Sequence, residues 1–159
     1  MEKADFRRMT GVVVRLLTCL VGLAVTVGPV GPAIAQQQGL VVVGNDRGGR
    51  IGIRADEVDR INAIGSRVEI RGQICYSSCT MYLGADDLCI NPTTSFGFHG
   101  PSDWGRPLSA DSFDRWSHVM ARYYNEPLRE WFMTDGRYQQ SSITQISGAQ
   151  LIRLGYAPC

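Results

Sequence analysis

Lysine is almost absent from this sequence, because Lys3 is its only lysine and every other basic residue is an arginine. A lysine general base or a serine–lysine dyad is therefore excluded for every position after residue 3. Acidic residues are also missing beyond Asp135. Over residues 36–159, 12 arginines oppose 13 acidic residues and form no basic block, which argues against a nucleic-acid partner.

A long apolar run is missing as well. The run at residues 16–27 has twelve residues, whereas a transmembrane helix needs about 20. The triplet at residues 33–35, Ala-Ile-Ala, follows it, and four basic residues precede it: Lys3, Arg7, Arg8 and Arg15. This pattern is typical of a secretory signal peptide. We expect residues 1–35 to be cleaved and residues 36–159 to form one domain, periplasmic or secreted from a bacterium, without a stable membrane span; a retained anchor is the alternative.

Hydrophobic periodicity predicts alternating strands and helices over residues 39–155. The strands are expected at 39–44, 66–72, 88–92 and 94–100. The helices are expected at 51–64, 77–85, 109–133 and 147–155, with Pro127 dividing the third. This order favours an α/β fold in layers with mainly parallel short strands.

Three features along the chain suggest catalytic chemistry. Ser77 and Ser78 begin a predicted helix, where free N–H groups favour developing negative charge. The turn at residues 48–49 is Gly-Gly, whose amides can approach a substrate carbonyl closely. His99 ends a predicted strand, beside the small residues of that face. A nucleophile, a general base and an oxyanion hole would need these residue types.

Four cysteines lie beyond residue 35: Cys75, Cys79, Cys89 and Cys159. Four cysteines allow three pairings, and the spacing does not choose among them. A Cys75–Cys79 bond would span one turn, whereas Cys89–Cys159 would tie the C-terminus to the sheet. The C-x3-C spacing suits neither a zinc ribbon nor a C-x2-C redox site, so we expect no metal and no cofactor. A thiol–disulfide function is a further alternative.

Three segments resemble the signature regions of the Clp protease proteolytic subunit, in the ClpP/crotonase superfamily, and above all its small exported bacterial relatives. The segments are NDRGGRIG (45–52), IRGQICYSSCTMYLGA (70–85) and INPTTSFGFHGPS (90–102). A fainter likeness follows at ISGAQLIRLGY (146–156). The resemblance implies a minimal ClpP/crotonase-like fold, with Ser77 as nucleophile and His99 as base. The N–H groups of Gly49 and Ser78 would form the oxyanion hole.

The chain departs from this family at the acid of the triad. Ile143 stands where the resemblance places an aspartate, and the adjacent hydroxyls belong to Ser142 and Thr144. Either hydroxyl, a backbone carbonyl or the carboxylate of Asp103 is a candidate to orient His99. None of the hydroxyls or carbonyls would balance the charge of an imidazolium.

Two functions follow from the resemblance and the departure. The first is an exported serine hydrolase or peptidase that acts on a peptide or ester substrate without a cofactor. The alternative is a catalytically inactive binding or scaffold protein that has lost the triad acid. The resemblance also implies a homo-oligomer, in which the late aromatic residues would pack against a neighbouring copy.

Overall fold

Two three-stranded sheets organise the fold in the computed structural model, which describes residues 39–159. The first sheet contains the parallel strands β1 (Leu40–Val43), β2 (Arg67–Ile70) and β4 (Asp87–Ile90). The second contains β3 (Ile74–Tyr76), β5 (Ser95–Phe98) and β6 (Thr144–Ser147). β3 and β5 are parallel, and β6 is antiparallel to β5. The expected mixed α/β class with mainly parallel strands is confirmed.

The chain repeats one path three times: a strand in the first sheet, a segment that pairs with the second sheet, then a helix. The first round runs from β1 through the bridge of Asp46 with Cys75 into α1 (Ile51–Ala63). The second runs from β2 and β3 into a 3₁₀ helix (Ser77–Gly84). The third runs from β4 and β5 into α2 (Ala110–Ala121). Because the second-sheet segments of the three rounds are parallel, their carboxyl ends meet at one edge.

The remaining helices, α3 (Glu126–Thr134) and α4 (Gly148–Arg153), complete the described chain with a short 3₁₀ turn at Gly136–Tyr138. Aromatic residues join these elements to the second sheet. Phe98 makes edge-to-face contacts with Tyr124 and Trp131, each with ring centroids 5.6 Å apart. Phe132 packs against Tyr124 at 5.2 Å and is fully buried. Several of the late aromatic residues therefore pack within the core of this chain.

The buried faces of two strands are those that the alternation of apolar and polar residues indicates. Val68 and Ile70 of β2, and Phe96 and Phe98 of β5, are fully buried. The predicted helix at 77–85 is present as the tighter 3₁₀ helix, and Pro127 lies in the first turn of α3. Two strands were missed: β3, which has only three residues, and β6, which is a polar edge strand.

The predicted signal peptide at 1–35, like its alternative of a retained membrane anchor, lies outside the described residues. Within residues 39–159, no helix is long and apolar enough to cross a membrane.

The structure places the four cysteines at disulfide distance as Cys75–Cys79 and Cys89–Cys159. The first pair closes a short loop and both of its residues are fully buried. The second pair joins positions 70 residues apart, and Cys159 is exposed. The geometry is therefore compatible with two disulfides, Cys75–Cys79 and Cys89–Cys159, as expected of an exported protein.

Removal of the long-range bond is expected to destabilise the fold strongly. Closing a loop of about 70 residues lowers the entropy of the unfolded chain and stabilises by about 4 kcal/mol. We expect Cys89→Ser/Cys159→Ser to lower the free energy of unfolding by about that amount in oxidising urea titrations. As a control, a dithiol should destabilise the wild type more than this variant. A loss of less than about 1 kcal/mol would contradict the expectation.

Candidate active site

A cavity of about 960 Å³ opens where the three second-sheet segments end. Its lining includes six of the residues that the sequence singled out: Gly48, Gly49, Ser77, His99, Asp103 and Ile143. The glycine turn follows Asp46, the serine follows β3, and the histidine follows β5. The three rounds of the chain thus each contribute one part of the same cavity.

Ser77 has a backbone conformation that is rare for a residue with a side chain. Its φ is +57°, in the left-handed region, and the residue is half-buried. The hydroxyl of Thr80 donates to the Ser77 carbonyl at 2.7 Å. Because Thr80 uses its only hydroxyl proton in this bond, the Tyr124 phenol donates to Thr80 at 2.7 Å, and burial raises the pKa of Tyr124. A network that reaches the core therefore holds the strained serine, as is typical of functional sites.

The glycine turn lies directly against this serine. Gly48 has φ +91°, and a Cβ added there would lie 2.6 Å from the Cβ of Ser77 and 2.9 Å from the backbone nitrogen of Ser78. The hydroxyl of Ser78 donates to the Gly49 carbonyl at 3.2 Å. No atom lies within 4 Å of a Cβ added at Gly49. Only glycine at position 48 lets the turn and the serine approach so closely.

A half-buried ion-pair network fixes the turn to α1. The carboxylate of Asp46 accepts from the Gly48 N–H at 2.7 Å and from Arg54 at 2.7 Å. Arg54 also lies 3.3 Å from Glu57 and 4.2 Å from the ring centroid of Tyr82. Burial, and then the hydrogen bond to Glu57, raise the pKa of Tyr82, so its phenol remains a donor. This network sets the position of the Gly48 amide.

His99 is oriented by the backbone. Its Nδ1 lies 2.7 Å from the Gly100 carbonyl oxygen. Since a carbonyl only accepts hydrogen bonds, Nδ1 carries a proton in this contact. Within residues 39–159, no hydrogen bond joins His99 to Ser77. The two side chains share the cavity without forming the bond that proton transfer requires.

Two other candidates for orienting His99, Ser142 and Thr144, lie elsewhere. The Ser142 hydroxyl donates to the side-chain oxygen of Gln139 at 3.1 Å. Thr144 belongs to β6, opposite Phe98 in the ladder with β5. Neither is bonded to His99 in the described part of the chain.

Asp103 and Ile143 both line the cavity. The backbone of Asp103 forms two hydrogen bonds with Arg106, each 2.9 Å long, which close a tight turn. Cγ2 of Ile143 lies against Gly97, only 2.6 Å from where a Cβ would be. At the position of the expected acid, the cavity therefore has an apolar wall, and Asp103 offers a carboxylate elsewhere in the lining.

The sequence reasoning missed Asp46, and it named a backbone carbonyl as a candidate to orient His99 without identifying it as that of Gly100. An aspartate two residues before a glycine is a known turn signal, because its side chain can accept the N–H two positions on. The Asp-Arg-Gly run at 46–48 could therefore have been recognised. No comparable signal exists for the backbone carbonyl of Gly100.

No family model, curated protein or solved structure matches this chain. Its function is therefore inferred from the cavity and from the residues that line it.

The two glycines of the turn are expected to respond differently to alanine. Gly48→Ala should lower the free energy of unfolding by about 2 kcal/mol, because the left-handed φ and the contact with Ser77 both oppose a Cβ. Gly49→Ala, the matched control, should change it by less than about 0.5 kcal/mol. Urea unfolding measures both values. Equal losses in the free energy of unfolding for the two variants would contradict the close approach of Gly48 to Ser77.

Proposed function

We propose that the protein is an exported serine hydrolase of ClpP/crotonase-like fold that cleaves a peptide or ester bond. The observation that carries this proposal is the meeting of Ser77, the glycine turn and His99 in one cavity. The strained φ of Ser77 supports a functional role. The paired cysteines support export, because disulfides persist in oxidising compartments.

In the proposed reaction, the Ser77 hydroxyl oxygen attacks the substrate carbonyl carbon, and Nε2 of His99 accepts the hydroxyl proton. The resulting oxyanion accepts hydrogen bonds from the N–H groups of Gly49 and Ser78. His99 then returns the proton to the leaving group, and an acyl enzyme forms on Ser77. Water, deprotonated by His99, attacks the acyl group, and His99 passes this proton to the Ser77 oxygen as the acid product leaves.

The reaction is expected to be slow. The Gly100 carbonyl holds the histidine tautomer but leaves the imidazolium charge unbalanced. Loss of the acid lowers turnover by about 10⁴-fold in a well-studied triad protease. A ring rotation or substrate binding must also bring His99 to Ser77, since no hydrogen bond joins them among residues 39–159. We therefore expect a serine that reacts covalently but turns over its substrate slowly.

A binding protein without catalysis is the second candidate. Ile143 favours it, because an apolar side chain lies where the resemblance implies an acid. In that case the same cavity would hold a peptide without cleaving it.

A fluorophosphonate probe tests the first proposal, because it forms a covalent bond with an activated serine. We expect the folded domain to be labelled, and Ser77→Ala to abolish labelling. Ser102→Ala is the matched control, since Ser102 is another half-buried serine of the same cavity. Peptide mass spectrometry after labelling should locate the adduct on residue 77.

Labelling that persists in Ser77→Ala would refute the assignment of the nucleophile. Absence of labelling at every pH from about 6 to 9 would favour the binding protein.

Introducing the missing acid should raise turnover. Ile143→Asp places a carboxylate in the wall of the cavity, where it can stabilise the imidazolium of His99. We expect kcat for a 4-nitrophenyl ester to rise by about 10²-fold, part of what a triad acid contributes. Ile143→Asn is the matched control, because it is polar and similar in size but has no charge. Equal rates in the two variants would show that this position does not act on His99.

A further inference from the structure

Cys75 and Cys79 enclose Ser77 symmetrically, with one residue, Tyr76 or Ser78, between the serine and each cysteine. The paired cysteines have Cα atoms 5.3 Å apart, although they are separated by four positions. The loop between them is therefore compact, and Ser77 is its central residue. The left-handed φ of +57° falls at this central position.

The two ends of the loop are anchored differently. Cys75 lies in β3, where it pairs with Phe96 of β5 and bridges to Asp46. Cys79 lies in the 3₁₀ helix after the serine and is fully buried. The sheet thus fixes the start of the loop, and the sulfur–sulfur bond ties its end to the same strand.

We propose that the Cys75–Cys79 bond is a positioning element that holds Ser77 in its reactive conformation. This inference rests on the proposed function. With the bond broken, the hydrogen bonds of Thr80 and Ser78 are left to oppose the intrinsic cost of a left-handed serine. Relaxation of Ser77 toward an ordinary φ would move its hydroxyl away from the glycine turn.

The two disulfides differ in access to reductants. Both residues of Cys75–Cys79 have no exposed surface, whereas Cys159 is exposed. Reduction by a dithiol needs thiolate attack on a sulfur, formation of a mixed disulfide and its displacement by the second thiol. Two electrons and two protons pass to the cysteines, and the reductant becomes a cyclic disulfide. Mild treatment of the folded protein should therefore open Cys89–Cys159 first.

The test compares two double variants in the full exported domain. Cys75→Ala/Cys79→Ala removes the bond around the serine, and Cys89→Ser/Cys159→Ser is the control that loses the long-range bond. Fluorophosphonate labelling is measured as a binding constant and an inactivation rate constant, and circular dichroism checks folding. We expect the first variant to lose about tenfold or more in the inactivation rate constant with unchanged binding. The control should stay within about twofold of the wild type.

Reduction of the wild type is the second measurement, in case the first variant folds poorly. Alkylation with mass spectrometry identifies which pair is open. Labelling should persist while only Cys89–Cys159 is open, fall when Cys75–Cys79 opens, and return on reoxidation. Undiminished labelling with Cys75–Cys79 open would overturn the inference while leaving the proposed function intact. Absence of labelling in the oxidised wild type would overturn both.

Discussion

Asp46 connects the glycine turn at residues 48–49 to the strand that leads to Ser77, through both its carboxylate and its backbone. Its backbone N–H donates to the Ile74 carbonyl at 3.1 Å, and its carbonyl accepts from Tyr76 at 2.9 Å. Its carboxylate accepts from Gly48 and from Arg54. One residue therefore pairs beside the strand that leads to the serine and also shapes the glycine turn that faces the serine. The close approach of turn and serine depends on this double attachment.

The winding of the chain explains why such a small domain can assemble a site. Each round adds one strand to the first sheet and places one segment in parallel pairing at the second, the first of them through the bridge of Asp46 with Cys75, so these segments end side by side. Gly48, Ser77 and His99 come from three successive rounds and reach one cavity without a long loop. Strand pairing thus fixes the relative positions of these residues, which the short elements could not do by themselves.

The candidate site combines a constrained serine, the proposed nucleophile, with a histidine whose hydrogen-bond partner is a backbone carbonyl. Ser77 is held by hydrogen bonds, by the glycine turn and by paired cysteines, although its conformation is costly. His99 has a backbone carbonyl behind it and the apolar Ile143 in the same cavity wall. Strong positioning with weak charge compensation is consistent with slow covalent chemistry, and equally with retention of the cavity for binding.

Local pattern in the sequence was enough to predict most strands and helices, and its alternation agrees with the buried faces of β2 and β5. These depend on periodicity and on contacts between near neighbours. Candidate site residues could also be named, because their chemistry is a property of residue type. Only the tertiary structure decided which cysteines pair, how closely Gly48 approaches Ser77, and that a carbonyl supports His99. Those features depend on distances between segments remote in sequence, which strand pairing determines.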